Sequence, residues 1–260
     1  MPPLLLLSLL LLSAFLAASA SSPPQDLQVK IQDATLTEDD LVSSSTWINS
    51  ACCPNGLNAV CWAAKLGSKS LPLLLSKGGS ATLWHEETKT SPSHFAAREG
   101  FYHSLKALLD SLPPSDAALE LEREDEHGNN VLHLASLSGQ VAMVNLLRSY
   151  NKSSDKWMVN ANHNGNTPLM FAAFFSHEKV LERLLEVDSV VEGIDVQAGN
   201  GRTALMLAAS SGCAECVRKL LVKGAMLDLE CEDGANAVSI ATEKGEAEVL
   251  QILVDARTEL

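Results

Sequence analysis

A seven-residue frame that returns six times constrains this chain more than any other feature. It is clearest in Thr167-Pro168-Leu169-Met170-Phe171-Ala172-Ala173 and Thr203-Ala204-Leu205-Met206-Leu207-Ala208-Ala209, each followed by an apolar pair, Leu184-Leu185 or Leu220-Leu221. Looser copies start at Ser91, Asn130 and Asn236, and the most degenerate starts at Asn58. The starts 58, 91, 130, 167, 203 and 236 lie 33, 39, 37, 36 and 33 residues apart. A unit of this length cannot bury its apolar face alone. Stacking on its neighbours buries it, so stability comes from nearest-neighbour coupling.

The residues of the frame each have a local reason. Thr, Ser or Asn at the start suits a helix N-cap, with proline tolerated just inside. The Ala-Ala-type pair lets neighbouring helices approach closely. A glycine after two variable residues (Gly67, Gly100, Gly139, Gly212, Gly245) turns the chain into a second helix. A glycine two before most starts (Gly56, Gly128, Gly165, Gly201, Gly234) fits a β-turn. Lys89 and Ser176 stand where the pattern asks for glycine. Such a core is built from Ala, Leu and Val, in keeping with a chain that is 46% hydrophobic but only 5% aromatic. The net charge of −13 excludes the basic footprint of a nucleic-acid binder.

Period and wording together resemble the ankyrin repeat over about residues 53–255. The resemblance implies an all-α repeat, an ankyrin solenoid of stacked helix-turn-helix units joined by β-hairpin fingers. It implies a protein partner, no catalysis, no cofactor and no metal. It also makes His94, His133 and His177 structural. Partner contacts in such arrays come from the fingers and from the concave side of the first helices. The variable pairs facing that side are Lys65-Leu66, Arg98-Glu99, Leu137-Ser138, Phe174-Phe175, Ser210-Ser211 and Glu243-Lys244. Leu137, Phe174 and Phe175 therefore form the expected apolar anchor inside a polar rim. The competing reading turns one phenylalanine inward to fill the space left by Ser176. Glu126, His127, Asn129, His163, Asn164, Asn166, Asn200 and Arg202 are the finger positions expected around the anchor. The fingers before the third and sixth repeats are acidic, which would steer in a partly basic partner. The array is expected to be a monomer.

The two longest periods carry extra residues. Pro113-Pro114 and the acidic run from Glu120 to Glu126 read as a longer, solvated loop at the edge of the stack. The only N-x-S/T sequon, Asn151-Lys152-Ser153, falls in a polar stretch and marks Asn151 as a glycosylation candidate.

The flanks bear on location. Residues 1–20, with Leu4 to Leu12 all leucine except Ser8 and Ala18-Ser19-Ala20 at the end, read as a secretory signal peptide. The alternative is an uncleaved anchor tethering the array to a membrane. Residues 21–52 form an N-terminal extension or cap. In it Thr37-Glu38-Asp39-Asp40 resembles a helix start, and Trp47 and Ile48 are placed to pack on the first repeat. Residues 256–260 form a C-terminal tail, and Arg257-Thr258-Glu259-Leu260 looks like a variant of an endoplasmic-reticulum retrieval signal. In an oxidising compartment Cys52, Cys53 and Cys61 should not stay free, so a Cys53–Cys61 or a Cys52–Cys61 disulfide is expected. Cys213-x-x-Cys216 reads as core cysteine, because Cys216 takes an apolar periodic position. A luminal thiol-redox factor is the alternative.

Overall fold

Frame starts become helix caps. The Asn58 side chain accepts from Cys61 N at 2.8 Å and the Asn236 side chain from Ser239 N at 3.0 Å. Thr167 and Thr203 cap Met170 N and Met206 N in the same way. Helices launched from these caps are Ala59–Leu66, Pro92–Arg98, Val131–Ser138, Pro168–Phe174, Ala204–Ser210 and Ala237–Lys244. Each is followed by a second helix: Leu71–Ser76, Tyr102–Asp110, Val141–Tyr150, Glu178–Leu184, Ala214–Val222 and Ala247–Glu259. The computed structural model describes residues 25–41, 48–51, 53–151 and 155–259. Residues 1–20, Trp47, Cys52, the sequon's Lys152 and Ser153, and Leu260 lie outside the described residues.

The six helix pairs stack in chain order, inner helix on inner helix and outer on outer. The small pairs make this possible. Ala96, Ala97, Ala172, Ala173, Ala208 and Ala209 are wholly buried. Leucines of the outer helices, such as Leu108, Leu147, Leu184 and Leu220, close the other side of the core. Histidines couple one unit to the next. His94 Nε2 donates to Asn129 O at 3.2 Å, and His133 Nε2 donates to Asn166 O at 3.1 Å. Each bond ties an inner helix to the residue just before the N-cap of the following inner helix.

The fingers are reduced to their turns. Among the described residues no strand forms, and the one β-bridge pairs His85 with Thr90. Each later finger closes on itself, as Asn162 N does on Asn166 O and Ala198 N on Arg202 O. Single backbone bonds then run from finger to finger: Glu126 N to Thr88 O, His163 N to His127 O, Gly199 N to Asn164 O, Glu232 N to Asn200 O. This ladder explains why Lys89 is tolerated in place of glycine. It takes up a left-handed backbone, φ 51°, rather than break the register.

Ser176 does the same between helices, at φ 57°, while His177 N reaches Ala172 O at 2.9 Å. A left-handed non-glycine residue costs about 1–2 kcal/mol. Ser176→Gly should therefore stabilise the chain by about 1 kcal/mol in urea unfolding, glycine giving back part of the gain in chain entropy. An unchanged or lower midpoint would contradict this.

The extra residues do not form solvated loops. Pro113-Pro114 starts a helix, Pro114–Glu122, that packs on Val131–Ser138 and Val141–Tyr150 and buries Ala117, Glu120 and Leu121. The acidic run thus begins on a buried Glu120, whose carboxylate faces Ser91 and Ser93 and lies 3.3 Å from Arg123. In the next period a 3₁₀ turn, Lys156–Met158, buries Trp157, whose carbonyl accepts from Asn130 Nδ2 at 3.0 Å. A short helix, Asp188–Glu192, packs against that turn.

At the N-terminal end a helix Gln25–Gln32 covers the first inner helix, with Ile31 fully buried and Ser68 Oγ donating to Ile31 O. Thr37 donates through N and Oγ1 to Asp40 Oδ2 and opens the turn Glu38–Leu41. Ile48 is buried, and its carbonyl accepts from Ala59 N. At the other end residues 256–259 are no separate tail. They continue the last helix, and Arg257 pairs with Asp228 at 3.3 Å.

Candidate functional site

Phe174 and Phe175 end the fourth inner helix, and neither turns inward. They are 47% and 44% exposed. The space at Ser176 is closed by the backbone turn itself, so no ring is needed to fill it. The two rings meet edge to face at 5.1 Å. Phe175 also stacks on His177 at 6.2 Å, and His177 is held by its Nε2 bond to Leu137 O at 2.9 Å. The anchor is thus braced from the preceding repeat. Edge-to-face ring pairs are favourable beyond simple burial, which limits the cost of leaving such rings in water.

The rings border a groove of about 330 Å³ between the fourth and fifth units. Its floor is Met170, Phe171 and Leu207, and its finger wall is Asn166, Asn200 and Arg202. Five of the residues expected at the partner surface, Asn166, Phe174, Phe175, Asn200 and Arg202, therefore converge on one depression. Met170, Phe171 and Leu207 are frame residues that pack, yet they also face the groove. The spacing of Phe171, Phe174 and Phe175, three and four apart, puts them on one helix face and is the signal for it in the sequence.

The other expected residues are distributed as follows. Glu126 and His127 are exposed at the third finger, with 3.7 Å between carboxylate and ring. His163 and Asn164 are exposed on the fourth finger. Leu137 is half-buried and serves the site through its carbonyl rather than as an anchor in the groove. Asn129 is not a surface residue. It is 7% exposed, donating through Nδ2 to Asp125 and accepting from Asn162 Nδ2 at 2.8 Å. Its role is to tie the third finger to the fourth.

The covalent assignments also change. Cys61 is buried and carries a thiol that donates to Leu83 O, so neither Cys53–Cys61 nor Cys52–Cys61 is formed. Burial pushes the Cys61 thiol up to about 12, which suits an inert core thiol. The bonded pair is Cys213–Cys216, at the start of the fifth outer helix. Core placement holds for Cys216 alone, since Cys213 is half-buried at the N-cap. Asn151 is 3% exposed, and its Nδ2, the atom a glycan would occupy, donates to Glu122 Oε1 at 3.2 Å. A glycan there is incompatible with this packing.

A wider cleft of about 730 Å³ opens on the outer-helix side, lined by Leu221, Val222, Met226, Leu229 and Ala256. Its carboxylate, Asp228, is already paired with Arg257. The groove at Phe174 differs in leaving Arg202 without an ion pair or a side-chain hydrogen bond among the described residues. Among those residues no helix is long and apolar enough to cross a membrane.

The family model "Ankyrin repeats (3 copies)" matches residues 62–159, 94–198 and 187–260. The chain is similar to a transient receptor potential cation channel subfamily A member 1 homolog of Caenorhabditis elegans. Identity is 29% over 185 residues, covering 71% of this chain and 14% of that protein. It is similar to the poly [ADP-ribose] polymerase tankyrase of the same organism, 31% identical over 62% of this chain and 6% of that protein. It is also similar to the E3 ubiquitin-protein ligase XBAT33 of Arabidopsis thaliana, 34% identical over 48% of this chain and 23% of that protein. The chain spans less than a quarter of the length of each of these relatives.

Proposed function

We infer that this chain, which belongs to the ankyrin-repeat family, is a non-catalytic interaction module that receives a protein segment in the groove at Phe174 and Phe175. The observation that carries this reading is the exposed ring pair itself. Two adjacent phenylalanines stay nearly half exposed, braced on His177, beside a wall of amides and one cation. Apolar anchors inside a polar rim are where binding energy concentrates. The exposed Glu126 on the third finger and Glu232 and Asp233 on the sixth favour basic flanks in the bound segment.

The test begins with partners captured by the full chain from its cell of origin, identified, and titrated as purified proteins. Phe174→Ala with Phe175→Ala should weaken the interaction by about a hundredfold or more, as for two aromatic hot spots. The melting temperature should move little, because the removed rings are surface residues. Equal affinity of the double variant would refute the site.

The leucine-rich leader supports placing the module in the secretory pathway, either secreted or in the endoplasmic-reticulum lumen. Amino-terminal sequencing of the mature protein tests this. A first residue at Ser21 agrees with it, and a retained leader points to the membrane-tethered form.

A further inference from the structure

The groove at Phe174 holds one charged group, and it is a cation. Its lining contains no aspartate or glutamate, although the chain carries a net charge of −13. Arg202 is half-buried there, and among the described residues its guanidinium forms neither an ion pair nor a hydrogen bond. Its backbone is fixed on both sides, with Arg202 N on Asn200 Oδ1 at 3.1 Å and Arg202 O on Ala198 N at 2.9 Å. Arginines with acidic partners, such as Arg183 with Glu186, Arg218 with Glu248 and Arg123 with Glu120, lie outside this groove. The nearest acidic finger, which carries Glu232 and Asp233, adjoins the groove through Glu232 N on Asn200 O but adds no carboxylate to its lining.

We propose that the segment received in this groove is an acidic–apolar motif: an Asp or Glu carboxylate within two residues of a bulky aliphatic or aromatic side chain. The apolar side chain packs against Phe174 and Phe175. The carboxylate accepts two parallel N–H bonds from Arg202, the geometry a guanidinium fork is built for. Asn166 and Asn200 offer amide donors and acceptors to the backbone between them. A guanidinium half-buried beside rings is screened less than one in open water, so the pair discriminates strongly against an amide or an ammonium in the carboxylate position. The basic flanks inferred from the acidic fingers lie outside this central motif. The proposal rests on the groove being the docking site.

The probe is a phage-displayed library of random dodecapeptides, panned on the full-length chain. Three variants are panned in parallel: Phe174→Ala with Phe175→Ala, Arg202→Gln and Arg202→Glu, each first shown to melt like the parent. Enriched peptides are expected to carry Asp or Glu within two positions of Leu, Ile, Met or Phe. As synthetic peptides they should bind Arg202→Gln about tenfold to a hundredfold more weakly, as for loss of a charged hydrogen bond. The double phenylalanine variant should not bind them. Arg202→Glu should enrich Lys or Arg at the same position, an inversion that mere destabilisation cannot produce. Peptides that need the phenylalanines but bind alike to all Arg202 forms would overturn the carboxylate proposal and leave the groove standing. A library yielding nothing dependent on Phe174 and Phe175 would overturn both.

Discussion

Protonation of two buried histidines on acidification from pH 7 to pH 4 should contribute a loss of about 6 kcal/mol of folding stability, most of it between pH 6.5 and pH 4. These are the histidines that couple adjacent units. His94 and His133 are buried, and burial lowers each from its ordinary 6.5 to about 4, against the opposing pull of Asp125. In the unfolded chain they bind protons near pH 6.5, while in the folded chain they stay neutral. Stability is thus fully present above pH 6.5 and falls as the pH drops towards 4. A shift from 6.5 to about 4 corresponds to about 3 kcal/mol per group at pH 4. Two such losses are comparable with the whole stability of an ordinary domain. Glu120 acts in the opposite sense. Burial raises its carboxyl, so its ionisation opposes folding and its protonation on acidification relieves that strain. Glu120→Gln should therefore raise stability at pH 7 and steepen the loss towards pH 4. Urea midpoints at pH 7, 5.5 and 4 measure the slope, and the ring-proton titrations of His94 and His133 locate its origin. A midpoint independent of pH, or rings that titrate near 6.5, would refute the account.

The position of those histidines is readable from the frame, but their partners are not. A repeat that recurs in phase fixes which residues cap, which pack and which turn, because each role returns at the same offset. Phe174 and Phe175 stand out for the complementary reason: they occupy offsets the frame leaves open. What is hidden depends on a neighbour far away in sequence. Asn129 has the polarity of a fingertip residue, but Asn162 reaches across to it from the next finger. Asn151 sits in a sequon, but its partner Glu122 lies in a helix where the sequence reads as loop. Glu120 hides that helix, because a charge on the buried stripe of Ala117 and Leu121 breaks its apolar periodicity. The oxidising compartment expected from the leader and proximity in sequence favour pairing the N-terminal cysteines. The fold instead gives Cys61 to the core and brings Cys213 and Cys216 together across a single helical turn.

The finger ladder yields an internal comparison between two glycines of identical local role. Gly165 and Gly234 both occupy the left-handed turn position, at φ +76° and +72°. They differ in their neighbours. A Cβ on Gly165 would lie 2.7 Å from Gly199 N and 3.0 Å from the Ala198 backbone, because the fifth finger presses against the fourth. Gly234 belongs to the last finger, and a Cβ there would meet nothing within 4 Å. Gly234→Ala should therefore cost only the backbone strain, about 1 kcal/mol. Gly165→Ala adds a clash with backbone that cannot swing aside, for a total of about 3 kcal/mol. The clash also falls on the bond from Gly199 N to Asn164 O, one of the single links that hold adjacent fingers in register. Since stability in a stacked array is a sum of unit and interface terms, this substitution weakens one interface selectively. Urea unfolding of Gly165→Ala should then separate into two steps, with residues on either side of the fourth-to-fifth boundary exchanging their amide protons at different denaturant concentrations. Gly234→Ala should keep a single transition at a slightly lower midpoint. If the two variants lose equal stability, the fingers do not couple the units, and cohesion rests on the helices alone.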